Sequence, residues 1–226
     1  MSTLNRPVRI LCVDDHSFLV EGLRARFDLE RDLEYVGWLP TAEHLAKEVR
    51  ELRPDIVLLD IEMPGPDTFD AAAELRRQFP DVRTIVLSAY VRDQYISAAV
   101  KAGAWGYFSK SENADEIVAG IRKVARGEFA FSPKVQERCQ PTGPGGQSTG
   151  SSRVEPPQTR LDALTPRELE VLRHIGHGRT RTEIAELLTR SPKTVDGHRE
   201  SIMQKLDIHD RGELVRFAIR EGIVEA

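Results

Sequence analysis

Residues 56–65 read Ile56-Val57-Leu58-Leu59-Asp60-Ile61-Glu62-Met63-Pro64-Gly65. Four consecutive aliphatic residues leave no polar face. A run that apolar suits a parallel strand buried on both sides. Working outward, Thr84–Leu87 repeats the pattern downstream and Val8–Val13 upstream, and Tyr35–Leu39 and Trp105–Phe108 complete five candidate strands. Helical spacing fills the gaps. Leu19, Leu23 and Phe27 recur every four residues, and Ile117, Ile121 and Val124 follow an i, i+4, i+7 stripe. Five strand–helix alternations predict a doubly wound α/β domain with a five-stranded parallel sheet.

Residues 140–160 break the pattern. Pro, Gly, Ser and Thr dominate, and Val154 is the only aliphatic residue, so the segment reads as linker. The domain reading is therefore 1–128 for the α/β domain, 129–160 for a linker that is flexible from about 140, and 161–226 for a second domain. That second part reads as four helices. Thr165-Pro166-Arg167-Glu168 combines a capping box with Pro at the first helical position. Leu169, Leu172 and Ile175 give the first helix one apolar face, a second helix runs from about Thr180 to Leu188, and Ser191-Pro192 opens a third. Val195, His198, Ile202 and Leu206 line the inner stripe of the third, and Leu214, Val215 and Ala218 mark a fourth.

In a doubly wound sheet, ligands sit at the carboxyl ends of the strands. Asp14 and Asp15 end the first strand, Asp60 the third, Ser88 the fourth and Lys110 the fifth. Singly, each is an ordinary cap or turn residue. Together, at strand ends of one sheet, they point to a site. Clustered carboxylates repel unless a cation is present, and hard oxygen ligands suit Mg²⁺. One carboxylate can then attack a phosphoryl group, with Lys110 supplying positive charge and Ser88 a hydroxyl donor.

The strings VDD at 13–15, LLDIEMPG at 58–65, VLSAY at 86–90 and AGAWGYFSK at 102–110 resemble the response-regulator receiver domain, over residues 8–128. That resemblance implies a flavodoxin-like sheet. It implies that Asp60 accepts phosphate from a sensor histidine kinase. It implies that Asp14, Asp15, Asp60 and the backbone carbonyl of Glu62 bind Mg²⁺, and that Ser88 and Tyr107 form the switch pair beside Lys110. Two positions depart from the family. Thr68 stands where Gly is usual, so the loop takes another path, capped by Asp67. Ser111 stands where Pro often follows the Lys, so no cis bond is expected there.

LTPRELEVL at 164–172, IAELL at 184–188 and SPKTVDGHRESIMQKL at 191–206 resemble the LuxR-type helix-turn-helix. Receiver plus this domain implies the NarL/FixJ subfamily, whose third helix enters the DNA major groove. On that helix Lys193 and Thr194 sit in the first turn, and Asp196, Gly197 and Glu200 face outward. Arg199 and Lys205 are candidate phosphate contacts. Asp196 can accept from a cytosine amino group. His198, on the inner stripe, packs or bonds a phosphate and has no second ligand at metal spacing. Gly197 suits close approach to the DNA backbone. Arg190 replaces the usual aliphatic residue of the turn and predicts looser packing between helices two and three.

Charge sets bounds on this reading. The chain carries net −4, and residues 161–226 hold 11 Lys and Arg against 12 Asp and Glu. Electrostatic affinity for DNA is therefore modest for a monomer, so two half-sites and a homodimer on activation are expected. Two distant cysteines, Cys12 and Cys139, form no disulfide framework. Together with the lack of an apolar leader or membrane span, this predicts a soluble cytoplasmic protein. No enzyme activity is expected beyond the protein's own phosphoryl transfer and dephosphorylation. A small-substrate phosphotransferase would need a second general-acid carboxylate beside the nucleophile, which LLDIEMPG lacks. The alternatives are a phosphorylation-independent DNA-binding protein and a protein-binding adaptor.

Overall fold

The computed structural model describes residues 6–140 and 158–224, in two folded units. In the first unit β1 (Val8–Val13), β2 (Leu33–Leu39), β3 (Ile56–Asp60), β4 (Arg83–Ser88) and β5 (Gly106–Ser109) alternate with five helices. These are α1 (Ser17–Phe27), α2 (Leu45–Leu52), α3 (Thr68–Gln78), α4 (Asp93–Ala102) and α5 (Ala114–Ala125). The strand order is β2-β1-β3-β4-β5, every neighbouring pair parallel.

Side chains alternate between two cores because successive Cβ atoms of a strand point to opposite faces. Ile10 and Cys12 of β1, Ile56 and Leu58 of β3, and Ile85 and Leu87 of β4 pack with α1 and α5 through Val20, Leu23, Phe27, Ile117 and Ile121. Leu11, Val13, Val57 and Leu59 pack on the other side with Leu45 and Val49 of α2 and Ala72 and Leu75 of α3. Both faces are covered, which is why the strands read as unbroken aliphatic runs.

The sheet has a sixth strand, which corrects the expected five. β6 (Ala130–Phe131) pairs in parallel with Gly106 and Tyr107 of β5 and leads into a short α6 (Pro133–Gln136). Two residues carry no periodicity for a sequence pattern to reveal. What holds them is tertiary: Ala130, Phe131 and Val135 are buried, and Phe129 stacks on Trp105 with ring centroids 5.0 Å apart. Ordered structure thus runs past residue 128, into the expected linker. A two-stranded antiparallel pair, β7 (Cys139–Gln140) with β8 (Gln158–Thr159), brackets residues 141–157, which lie outside the described residues.

The second unit contains a 3-10 turn (Arg160–Ala163), followed by α7 (Pro166–Gly176), α8 (Arg181–Leu187), α9 (Pro192–Leu206) and α10 (Arg211–Arg220). Each start has a side-chain cap. Thr165 and Thr180 form capping boxes with Glu168 and Glu183, Ser191 accepts from the Thr194 amide, and Asp210 accepts from the Glu213 amide. Val171, Leu172, Ile175, Ile184, Val195, Ile202 and Leu214 share one core.

Candidate functional site

Register brings the acidic residues together. Val13 of β1 lies beside Leu59 of β3, so the next residues, Asp14 and Asp60, leave the sheet side by side. Ser88 pairs with Ser109 in the β4–β5 ladder, which sets Lys110 one residue beyond. The chain goes from β1 to β2 on one side and returns to β3 on the other, so this is the switch point where an open α/β sheet leaves a crevice.

The Asp60 side chain is fully buried. Its Oδ1 accepts from the Glu62 amide at 3.0 Å and its Oδ2 from Lys110 Nζ at 2.7 Å. Lys110 also donates to Asp14 Oδ1 at 2.9 Å. Burial works against the ammonium charge, yet the bonds to Asp14 and Asp60 outweigh it and raise the Lys110 pKa. Burial, then the Asp60 charge, raises the Glu62 carboxyl. Asp14, Asp15, His16 and Asp60 each place a ligand atom within 4.8 Å of the others. Three carboxylates with one ammonium among them leave surplus negative charge, and oxygen donors of this kind fit a hard divalent cation.

Ser88 and Tyr107 are buried, and the Ser88 hydroxyl lies 3.4 Å from Glu62 Oε2. The Ser88 hydroxyl donates to the Tyr90 carbonyl at 3.0 Å and accepts from the Tyr90 amide at 3.0 Å. The Tyr107 hydroxyl donates to the same carbonyl at 2.7 Å. Thr68 causes no strain: it opens α3 with negative φ, Asp67 caps the helix as expected, and the Thr68 hydroxyl donates to the Ile61 carbonyl at 3.2 Å. The described residues contain no cis peptide, in keeping with Ser111.

On α9, Lys193, Thr194, Gly197 and Glu200 are exposed, and His198 is half-buried. Asp196 is less open than its place in the sequence suggests. Its carboxylate holds Arg181 of α8 at 3.1 Å and Arg199 at 3.3 Å. Lys205 donates to Glu168 Oε2 with its Nζ at 2.7 Å, and Ser201 donates to Glu168 Oε1 at 2.6 Å. Burial alone would raise the Glu168 carboxyl, but Lys205, Ser201 and the Thr165 amide pull it down to about 2. Arg190 is exposed, and packing between α8 and α9 runs through Ile184, Ala185, Leu188 and Val195.

Residues 10–122 match the family model described as response regulator receiver domain, and residues 162–218 match that of bacterial regulatory proteins of the luxR family. The chain is 35% identical over 220 residues to the transcriptional regulatory protein MctR of Rhizobium johnstonii, covering 97% of each. The chain is a response regulator. Its two domains are those of the NarL/FixJ subfamily.

This response regulator is also 32% identical to response regulator GacA of Pseudomonas aeruginosa, over 97% of this chain and 99% of GacA. Among solved structures, RcsB of Salmonella enterica serovar Typhimurium, bound to promoter rprA in the presence of the phosphomimetic BeF3-, aligns with a TM-score of 0.65 at 23% identity, over 93% of this chain and 97% of that one. That likeness shows the fold. A LuxR-family response regulator from Aurantimonas sp. SI85-9A1 is 30% identical, with a TM-score of 0.55 over 58% of this chain and 94% of that one. Two residues in contact with the candidate sites of this response regulator were not legible in its sequence. His16 has only its place after the acidic pair as a signal, and Arg181 lies on α8, away from the helix that the motif emphasises. No helix among the described residues is long and apolar enough to cross a membrane.

Proposed function

We propose that this response regulator accepts a phosphoryl group on Asp60 from a sensor histidine kinase and then regulates transcription by binding double-stranded DNA as a homodimer. The observation that carries the reading is the Asp60 carboxylate, buried at a strand end with one oxygen on the Glu62 amide and the other on Lys110. An Asp60 oxygen forms a P–O bond as the P–N bond of the phosphohistidine breaks, and the electron pair leaves with the imidazole. Asp14, Asp15, Asp60 and the Glu62 carbonyl are the residues to hold Mg²⁺, which supplies charge neutralisation at the phosphoryl oxygens. Lys110 keeps its proton and faces the developing charge.

New phosphoryl oxygens draw the Ser88 hydroxyl away from Tyr90. Tyr107 bonds the same Tyr90 carbonyl, so the two side chains are coupled through one backbone atom. That favours a second surface, which dimerises. Lys193, Thr194, Gly197, His198, Arg199 and Glu200 form the DNA face, joined by Arg181. Asp196 serves it by holding two arginines, and the Lys205 charge is taken up by Glu168. The name of MctR, a transcriptional regulatory protein, supports the same role here. The protein works in the cytoplasm and turns over no external substrate.

Incubation with Mg²⁺ and acetyl phosphate tests the assignment. The intact mass is expected to rise by one phosphoryl group, and Asp60→Asn to abolish the gain. A variant that still gained phosphate would move the acceptor elsewhere.

A further inference from the structure

His16 stands beside this site with no role assigned to it. Its Nδ1 lies 2.8 Å from Asp15 Oδ1, 3.1 Å from Asp14 Oδ1 and 4.0 Å from Asp60 Oδ2. Lys110 Nζ lies 3.2 Å away. Hydrogen bonding alone does not satisfy these neighbours together. A proton on Nδ1 suits the carboxylates but opposes the Lys110 ammonium, whereas a lone pair suits Lys110 but faces carboxylate oxygens. A cation among the carboxylates removes the conflict, since imidazole and carboxylate are then donors to one ion.

Two structural explanations for His16 fail. It occupies the N-cap position of α1 but makes no side-chain cap bond. Its side chain is 62% exposed, so it is not packed into a core.

We propose that His16 is a nitrogen ligand of the cation site, tilting this receiver away from magnesium and toward borderline divalent ions such as cobalt. Imidazole favours those transition ions, whereas carboxylate, carbonyl and water suit magnesium. The proposal rests on reading Asp14, Asp15 and Asp60 as a cation site.

The test compares Mg²⁺ and Co²⁺ on the full chain by equilibrium dialysis. Trp38, whose indole donates to the Asp14 carbonyl at 2.7 Å, supplies a local signal. Trp105→Phe makes Trp38 the only tryptophan, since the chain has two. His16→Ala is expected to weaken Co²⁺ binding about tenfold or more, the scale seen on losing a supporting group of a metal site, with Mg²⁺ affinity far less affected. Equal losses for both ions would mean that His16 only orients the carboxylates, and would overturn the proposal, as would an unchanged Co²⁺ affinity. Asp60→Asn weakens both ions and reports on the cation site itself. If the unsubstituted chain took up neither ion, that underlying reading would fall, and the His16 proposal with it.

Discussion

Gly197 lies in the interior of α9, exposed, and a methyl group placed there would meet nothing within 4 Å. The fold therefore does not require glycine at this position. Helix interiors disfavour it relative to Ala by about 0.5–1 kcal/mol. Gly197→Ala is expected to raise stability by roughly that amount in denaturant unfolding while weakening DNA retention, because the added methyl group blocks backbone approach. A variant that gained stability and kept full DNA affinity would remove Gly197 from the interface. Thr68 teaches the complementary lesson. A β-branched residue resists positive φ, yet here it begins a helix, with Asp67 accepting from the Phe69 and Asp70 amides. The sequence already contained the compensating cap.

Two elements converge on α9. From α7, Glu168 binds Lys205 and Ser201; from α8, Arg181 binds Asp196. The folded Glu168 carboxyl lies near 2, below its ordinary 4.5. Its charge therefore stabilises the helices at pH above the unfolded value, and that contribution is lost as pH falls from about 4.5 toward 2. Protection factors of α9 amides in the full chain, taken against the intrinsic exchange rate at each pH, are expected to fall over that window. In Glu168→Gln protection is already reduced near neutrality, and the acid-dependent loss is smaller. An unaltered profile would show that the ion pair does not anchor the helix. Arg181 tests the other contact. If it meets a DNA phosphate, Arg181→Ala reduces the slope of log affinity against log salt by about one, similarly on all sequences. A slope equal to that of the unsubstituted chain would place Arg181 off the DNA.

At the scale of the whole molecule, charge argues for pairing. The chain carries net −4, so a single helix-turn-helix has little electrostatic hold on DNA. Two recognition helices on half-sites about 10 base pairs apart supply what one lacks. Sedimentation with Mg²⁺ and acetyl phosphate is expected to show a dimer, with a rise in DNA affinity, and neither change in Asp60→Asn. Dimers of equal strength without phosphate would sink phosphorylation as the trigger and favour a phosphorylation-independent regulator.

The sequence alone determined whatever is encoded by local period and local chemistry. Aliphatic runs marked β1, β3 and β4, the Thr165–Glu168 box marked the start of α7, and aspartates after the runs marked the acidic site. Those signals survive because strand alternation, helix caps and strand ends need only neighbouring residues. Tertiary structure decided the rest. β6 has two residues and exists through pairing with β5 and the packing around Phe131. The Lys205 ammonium is held by Glu168, Asp196 is taken up by two arginines, and His16 turns into the acidic cluster. Each of these depends on the direction of a side chain relative to a partner distant in sequence or on another element, and packing sets that direction where spacing along the chain does not.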